Sequence, residues 1–242
     1  VLLVMIGSLA IFPDLGNATI LFLVALLMYS ISGIAHRWFA TILGVLTSLS
    51  FVSLSTIKLV GVDKFSKIPV FGYVAKRFSA FFNPFDDVAG AGHQLANSYY
   101  AMVNGGWFGL GLGNSIEKRG YLPEAHTDFV FSIVIEEFGF VGASLILALL
   151  FFLILRIILV GVRAKDPFNS MVAIGIGGMI LIQVFVNIGG ISGLIPSTGV
   201  TFPFLSQGGN SLLVLSVAIA FVLNIDASEK RAKLYSEYEA QL

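Results

Sequence analysis

Long apolar runs alternate with polar segments along the chain. A helix needs about 20 largely apolar residues to cross a bilayer. Six runs fit this requirement, if the first, which the start of the chain interrupts, is included: Val1–Phe12, Ala18–Ala35, Trp38–Val62, Phe129–Val162, Ser170–Ile195 and Phe202–Ile225. The pattern predicts an all-α polytopic membrane protein with about six transmembrane helices.

Polar segments divide the chain into four parts. Residues 1–62 hold three spans, 63–127 form a large loop, 128–225 hold three further spans, and 226–242 form a solvated tail that can continue as a helix. Because the chain starts inside an apolar run, without a basic leader, we expect it to be the C-terminal portion of a longer membrane protein.

Basic residues in the short polar segments predict the orientation, because Lys and Arg in short loops favour the cytoplasmic side. Six such residues fall on one side: Arg37, Arg163, Lys165, Lys230, Arg231 and Lys233. The loop 63–127 and the segments 13–16 and 196–209 then lie on the opposite side. We therefore expect a large extracellular loop and extracytoplasmic chemistry.

Composition supports a membrane protein and excludes several functions. Hydrophobic residues make up 57% of the chain and charged residues 12%, against about 25% charged residues in a soluble domain. The net charge of zero gives no indication of nucleic-acid binding. The absence of Cys excludes disulfides, thiolate metal sites and cysteine catalysis.

The strongest candidate for chemistry is the segment Tyr121–Phe129, directly before the fourth span. It holds Pro123 and three titratable side chains, Glu124, His126 and Asp128. Ionisable groups at the edge of a span indicate a functional site by default. The alternative is an ordinary helix start, with Pro123 in the first turn and acids favoured by the helix dipole.

The fourth span is unusually long. Phe129–Val162 would measure about 51 Å as one helix, against a hydrocarbon core of about 30 Å. With Arg156 at the cytoplasmic boundary, Glu136 falls near the outer boundary and Asp128 about 12 Å beyond it. The acids point in different directions and predict no carboxylate dyad. Glu136 and Glu137 are interpreted as structural, bonded to loop backbone or to basic groups.

The large loop begins with an amphipathic stretch, 64–82, in which Lys and Arg are interleaved with Phe and Tyr. This pattern is typical of a helix in the lipid headgroup layer. The stretch is either a plain anchor or a phosphate-holding element, with Arg77 as the candidate cation. Further on, His93–Asn104 predicts a short helix, and Gly109–Gly113 predicts a tight turn folded onto helix ends. Trp107 is expected to pack at the membrane interface.

Polar and small residues mark the fifth span. Gln183 and Asn187 lie four residues apart on one face, and glycines between 175 and 190 permit close helix packing. We interpret both side chains as structural. Pro196, Pro203 and the segment 206–210 predict non-helical backbone near the outer face, surrounded by protein or a wet cavity.

An ordered series of motifs resembles the SEDS family of peptidoglycan glycosyltransferases, which includes FtsW and RodA. The resemblance extends to about Ile225 and rests on order and spacing: Pro13–Gly16, Lys76–Arg77 with Asn83–Pro84, Gly90–Gln94, Gly105–Ser115, Leu122–Phe129, Glu136–Glu137 and Gly193–Gly209. The run Asn114–Glu124 is more similar to Gram-positive FtsW than to RodA. Gln207–Ser211 and His93 depart from the family pattern and affect local packing.

The resemblance implies a ten-helix fold, of which this chain would hold the truncated fifth to the tenth helix. It implies a glycosyltransferase that polymerises lipid II during cell division, in the bacterial plasma membrane at the septum. Implied partners are a class B penicillin-binding protein and other divisome membrane proteins, with no nucleic acid. The fragment alone is expected to be inactive, because its cleft would lack facing helices.

The family's essential aspartate matches Asp128, which the resemblance makes the catalytic carboxylate. A carboxylate can take the proton of the attacking hydroxyl. Such families also tend to need a divalent cation, Mg or Mn, and Asp128 is the candidate ligand. Candidates for substrate binding are Arg77, Lys118, Arg119, Glu124 and His126.

Three other interpretations stay open: an elongation-type RodA paralogue, a lipid II flippase or transporter, and a division scaffold without chemistry. A transporter places its ionisable groups near the bilayer midplane. In this chain they cluster at the outer edge, and the fourth to sixth spans carry no acid or base near their centres. This distribution favours an enzyme at the membrane surface.

Overall fold

The computed structural model describes residues 15–33, 41, 44, 48, 55, 77–90 and 92–239. The predicted first span, nearly all of the third, and the loop up to Lys76 lie outside the described residues. Within the described ranges, the regular structure is helical: α1 Leu15–Ile31, α2 His93–Gly105, a 3₁₀ turn Glu117–Arg119, α3 Val130–Arg163, α4 Pro167–Ile191 and α5 Gly209–Glu239. Residues 77–82 are also helical.

Three of these helices, α3, α4 and α5, are long and apolar enough to cross a membrane. The shorter apolar helix α1, Leu15–Ile31, overlaps the predicted second span, Ala18–Ala35, and begins three residues before it. Helix α3 confirms the predicted fourth span, Phe129–Val162, to within one residue at each end. Helix α4 corresponds to the predicted fifth span, Ser170–Ile195, but begins three residues earlier and ends four residues earlier. The prediction of a polytopic helical membrane protein is therefore confirmed.

Helix α4 lies at the centre of the described bundle and contacts α1, α2, α3 and α5. Its glycines allow this close packing, as the sequence predicted. A Cβ at Gly178 would lie 2.0 Å from Leu27 of α1, and one at Gly177 would lie 2.7 Å from Ile158 of α3. A side chain at either position would force Leu27 or Ile158 to move, so these glycines let the neighbouring side chains pack against the backbone of α4.

The sixth span begins later than the sequence predicted. Residues 202–208 form turns, and α5 begins only at Gly209. Phe202 is fully buried and stacks on Phe131 of α3, with ring centroids 4.7 Å apart. Pro203 has no amide hydrogen for a helical bond. Phe202, which the sequence placed in the sixth span, is thus packed inside the protein, and the non-helical backbone predicted at Pro203 is confirmed. Beyond the span, α5 continues to Glu239, so the tail is helical and exposed.

Helix α3 is broken at Gly139, whose φ of 71° lies in the left-handed region. The loop after α2 inserts at this break, and a Cβ at Gly139 would lie 2.4 Å from the amide nitrogen of Gly109. Four backbone hydrogen bonds of 2.9 to 3.1 Å replace the interrupted helical ones. In each, the amide of the first residue donates to the carbonyl oxygen of the second: Leu110 to Glu136, Gly111 to Glu137, Phe140 to Gly106 and Val141 to Trp107. The predicted tight glycine turn is confirmed, but it folds onto a break inside α3 and not onto a helix end.

Candidate active site

The segment 121–129 is a series of turns and not the first turn of a helix, because α3 begins at Val130. The interpretation of Pro123 as part of an ordinary helix start is therefore wrong. The carbonyl oxygen of Glu124 accepts hydrogen bonds from the amides of Thr127 and Phe129, at 3.1 and 3.3 Å. Glu124 has a φ of 56°, which is uncommon for a side chain with a Cβ. These bonds fix the turn that presents Asp128.

The backbone of this turn is fastened to α4 and to the segment before α5. The Nδ2 of Asn187 donates to the carbonyl oxygens of Asp128 and Val200, at 2.7 and 2.6 Å. The hydroxyl of Ser206 donates to the carbonyl oxygen of Thr127 at 2.6 Å and accepts from the amide of Phe202 at 2.7 Å. The position of Asp128 is therefore fixed by hydrogen bonds from two segments that are distant in sequence.

Arg77 and Asp128 lie side by side over Gly199. A Cβ at Gly199 would be 3.0 Å from Nη2 of Arg77 and 3.3 Å from Oδ2 of Asp128. The guanidinium also donates to the carbonyl oxygen of Ser197. Gly199 has a φ of 73°, so both its backbone conformation and its neighbours favour glycine. The structure thus brings the candidate carboxylate and the candidate phosphate-binding cation to one place.

A small pocket lies at this place, between the start of α3, the end of α4 and the segment 197–200. Its lining includes Asp128, Asn187, Gly190 and Gly199. Asn187 is 3% exposed, and its Oδ1 has no hydrogen-bond donor in the described part of the chain. Buried acceptors are normally paired. The pocket therefore offers a carboxylate, a nearby guanidinium and an amide acceptor.

Glu136 is a structural carboxylate, as predicted. It is fully buried and accepts hydrogen bonds from Nδ2 of Asn104, the hydroxyl of Ser115 and the amides of Ile116 and Glu117. The amide bonds measure 3.1 and 3.4 Å to Oε1. A carboxylate satisfied by several donors can remain buried. Glu136 therefore anchors the loop that leads to the turn of Asp128.

Two further ionisable groups surround this anchor. Glu137 forms an ion pair with Lys118 at 2.5 Å, so Glu137 is bonded to a basic group as predicted. Glu117 is buried, and its Oε2 has no partner among the described residues. Burial, followed by the charge of Glu136, raises the pKa of Glu117 above its ordinary range, while the charge of His93 acts in the opposite direction.

None of the other four residues predicted to bind substrate lines this pocket. Lys118 forms an ion pair with Glu137. Arg119 is the last residue of the 3₁₀ turn and is exposed. Glu124 and His126 are exposed in the turn before Asp128; the carboxylate of Glu124 accepts from the hydroxyl of Thr127 at 2.7 Å. Among the described residues, no group of three or more His, Cys, Asp or Glu could hold a metal ion.

Sequence reasoning identified Asn187 as structural but missed its bond to Asp128. The signal was the presence of two polar side chains, four residues apart, in an apolar span. Gln183 is half-buried and donates to the carbonyl oxygen of Thr201 at 3.1 Å, one turn before Asn187. The hydrogen bonds of both side chains therefore reach the segment between α4 and α5. Nothing in the sequence indicated the contact of Gly199 with Arg77 and Asp128, apart from its place in a glycine-rich motif.

Comparisons with known proteins agree with the motif series. The family model described as "Cell cycle protein", for FtsW, RodA and SpoVE, matches residues 1–231. A "Probable peptidoglycan glycosyltransferase FtsW" of Lactococcus lactis subsp. lactis (strain IL1403) is 57% identical over 224 residues, which cover 93% of this chain and 53% of that protein. The protein of the same description from Bacillus subtilis (strain 168) is 42% identical over 235 residues, covering 97% and 56%.

"Stage V sporulation protein E" of Bacillus subtilis (strain 168) is 42% identical over 215 residues, covering 88% of this chain and 54% of that protein. A solved structure described as "Structural coordination of polymerization and crosslinking by a peptidoglycan synthase complex" matches with a TM-score of 0.70 and 25% identity, covering 94% of this chain and 60% of the matched chain. The chain spans about half the length of the curated relatives. It belongs to the FtsW, RodA and SpoVE family of cell cycle proteins, known as SEDS proteins, and is similar to FtsW of Gram-positive bacteria.

Proposed function

We propose that the whole protein is a peptidoglycan glycosyltransferase that polymerises lipid II into glycan strands during cell division. The observation that carries this proposal is the placement of Asp128 beside Arg77 over Gly199, in a pocket at the start of a membrane-length helix. The descriptions of the FtsW relatives supply the reaction class. A carboxylate beside a guanidinium suits a reaction in which a hydroxyl attacks and a phosphate leaves.

The proposed reaction exchanges one bond at the anomeric carbon for another and transfers one proton. The 4-hydroxyl oxygen of the acceptor sugar bonds to the anomeric carbon of the donor sugar, and the bond from that carbon to the lipid pyrophosphate breaks. The pyrophosphate leaves with the electron pair. Asp128 takes the hydroxyl proton as the new bond develops.

Arg77 is the proposed phosphate ligand. Its planar guanidinium can bind two phosphate oxygens at once. One side of the group is already oriented by the Ser197 carbonyl, so less freedom is lost on binding. Glu124 and His126 are proposed to contact the sugars from the exposed turn. Lys118 and Arg119 remain proposed substrate contacts. Because Lys118 already forms an ion pair with Glu137, Arg77 is the stronger candidate for binding phosphate.

A divalent cation, Mg or Mn, is part of the proposal. Since the described residues hold no metal cluster, the cation would be bound by Asp128 together with phosphate oxygens of the substrate. Magnesium sites of this composition are usual in enzymes of phosphate-containing substrates. When bound, the cation would neutralise charge on the departing pyrophosphate.

The proposed site faces the outside of a multi-pass plasma-membrane protein at the septum. The short basic segments at the other ends of the spans support this orientation. Cysteines at Gly120 and Lys165 test it, because a membrane-impermeant thiol reagent should label the first and not the second in intact cells. Labelling of Lys165→Cys alone would invert the orientation. A class B penicillin-binding protein and other divisome membrane proteins are the proposed partners.

The function is tested with Asp128→Asn in the full-length protein. This change keeps the side-chain volume and removes the charge. Loss of a general base costs about 10²- to 10⁴-fold in rate, so polymerisation of purified lipid II should fall by that amount with normal expression. Glu124→Gln, in the same turn, is the matched control and should have a smaller effect. Substantial polymerisation by Asp128→Asn would contradict the assignment, and lipid II translocation without polymerisation would favour a flippase.

A further inference from the structure

A second cavity lies at the end of the bundle opposite Asp128, between the last turns of α3 and the middle of α5. Its volume is about 250 Å³, several times the ~30 Å³ that one water molecule occupies in the liquid. Its lining combines apolar and charged side chains: Arg156, Leu159, Val160, Arg163, Ala164, Asp226, Glu229 and Lys230. This cavity plays no part in the proposed glycosyl transfer.

The acidic side chains of the cavity have partners, and two of its basic side chains form no ion pair among the described residues. Asp226 pairs with Lys230 at 2.6 Å, and Oε1 of Glu229 accepts from the backbone amide of Lys165 at 3.2 Å. Arg156 and Arg163 are exposed, and neither forms an ion pair within the described part of the chain. Among the described residues, the acids of the cavity therefore have partners, whereas the two guanidinium groups on its wall form no ion pair.

The two arginines are placed to act on one group. They lie seven residues apart, which is two helical turns, so they project from the same side of α3. Leu159 and Val160 lie between them and give the wall an apolar middle. Guanidinium groups bind phosphate oxygens in a bidentate manner, and Arg is less strongly hydrated than Lys. The pattern of an apolar wall with a cationic rim matches a lipid headgroup and the start of its acyl chain.

The depth of the cavity also indicates a lipid. In α5 the last buried apolar residue is Ile225, after which the helix is mostly polar. The cavity therefore lies where the apolar spans end, at the level of phospholipid phosphates. Basic pockets between transmembrane helices on the cytoplasmic side bind anionic headgroups.

We propose that this cavity binds the phosphate of an anionic glycerophospholipid of the phosphatidylglycerol type. Arg156 and Arg163 hold the phosphate oxygens, and Leu159 and Val160 contact the first acyl carbons. The lipid joins α3 to α5 at the end of the bundle where the tail leaves the membrane. Its binding is independent of lipid II and of the reaction at Asp128.

The test uses the delipidated full-length protein in a neutral detergent. Short-chain phosphatidylglycerol, short-chain phosphatidylcholine and inorganic phosphate are titrated separately, and binding is measured by native mass spectrometry and by the shift of the unfolding midpoint. A ligand that binds the folded state raises that midpoint. Phosphatidylglycerol should bind at least about tenfold more tightly than phosphatidylcholine, and inorganic phosphate should give no shift at the same concentration.

Matched variants locate the site. R156Q/R163Q should lose at least about tenfold in affinity for phosphatidylglycerol. R231Q/K233Q removes the same charge from the exposed tail outside the cavity and should bind as the unchanged protein does. R156K/R163K keeps the charge, so it should bind between these two and remain usable if the glutamine variant misfolds.

Three results would overturn the proposal. Equal affinity of the unchanged protein for the two lipids would exclude headgroup selectivity, whatever the variants do. Equal losses in R156Q/R163Q and R231Q/K233Q would reduce the preference to net charge. An inorganic phosphate shift as large as that of phosphatidylglycerol would make the cavity a simple anion site without a role for the lipid.

Discussion

The side-chain amide of Asn187 donates a hydrogen bond of 2.7 Å to the backbone carbonyl oxygen of Asp128. The same nitrogen donates to the carbonyl oxygen of Val200 at 2.6 Å, one residue beyond the glycine that faces Arg77. One buried side chain of α4 thus joins the segment that carries the candidate base to the segment under both charged groups. Its position makes Asn187 a positioning residue for Asp128.

We predict that Asn187→Leu lowers turnover. Leucine has a similar size but donates no hydrogen bonds, so two carbonyl oxygens lose their donor and Asp128 loses its fixed position. A displacement of about 1 Å can cost up to about 10²-fold in rate, and we expect a loss of ten- to a hundred-fold in kcat for lipid II polymerisation with a smaller change in KM. The measurement is a kinetic assay of the full-length protein.

Gln183→Leu is the control for Asn187→Leu, because Gln183 binds Thr201 and not the turn of Asp128. Both variants should lower the unfolding midpoint, since each leaves a carbonyl oxygen without its donor. Only Asn187→Leu should strongly lower kcat. If both variants lose stability and both retain kcat, Asn187 has no positioning role.

We predict that Arg77→Lys weakens lipid II binding although it keeps the charge. Lysine has no planar fork for two phosphate oxygens and cannot reproduce the oriented contact with Ser197. The KM for lipid II should rise about ten- to a hundred-fold, which corresponds to the ~1.5–3 kcal/mol of one hydrogen bond to a charged group. Arg231→Lys, the same change in the exposed tail, should leave KM unchanged. An unchanged KM in Arg77→Lys would leave Arg77 with a structural role only.

We predict that Glu136→Gln destabilises the loop after α2. The glutamine amide would replace one acceptor oxygen by a donor facing other donors, and hydrogen bonds to a charged group contribute about 1.5–3 kcal/mol each. The free energy of unfolding should fall by about 2 kcal/mol or more, and limited proteolysis should cut between 106 and 121. Asp128→Asn is the comparison, since its midpoint should stay near that of the unchanged protein. An unchanged unfolding midpoint in Glu136→Gln would contradict the role of Glu136 as an anchor of this loop.

We predict that Glu117→Gln stabilises the protein at neutral pH. Burial and then the charge of Glu136 raise the pKa of Glu117 in the folded state. A raised pKa favours the protonated form, so this stabilising contribution is complete below the ordinary glutamate pKa of about 4.3 and is lost as pH rises through the folded-state value. The glutamine variant does not ionise and avoids this loss.

The measurement for Glu117 is the unfolding midpoint as a function of pH. The difference between Glu117→Gln and the unchanged protein should grow as pH rises from about 4 through the raised pKa and then stay constant. Glu237→Gln, in the exposed tail, should show no such dependence. A difference of the opposite sign, largest at low pH, would show that ionised Glu117 is stabilised in the folded state.

The sequence alone determined the family and the spans that form α3 and α4. The bounds of α3 follow from local composition, because an uninterrupted apolar run must satisfy its own backbone hydrogen bonds in lipid. The structural roles of Glu136 and Glu137 were also predicted, since buried carboxylates need partners. The order of the motifs placed Asp128 and Arg77 among the candidates without showing that they meet.

Tertiary structure decided the rest. Hydrophobicity does not distinguish a phenylalanine facing lipid from one stacked inside the protein, so Phe202 was placed in a span when it packs on Phe131. The break at Gly139 depends on the loop inserted there, and the approach of Arg77 and Asp128 to one place depends on Gly199, which lies far from both in sequence. Such contacts form between segments that only helix packing brings together, and local patterns carry no information on that arrangement.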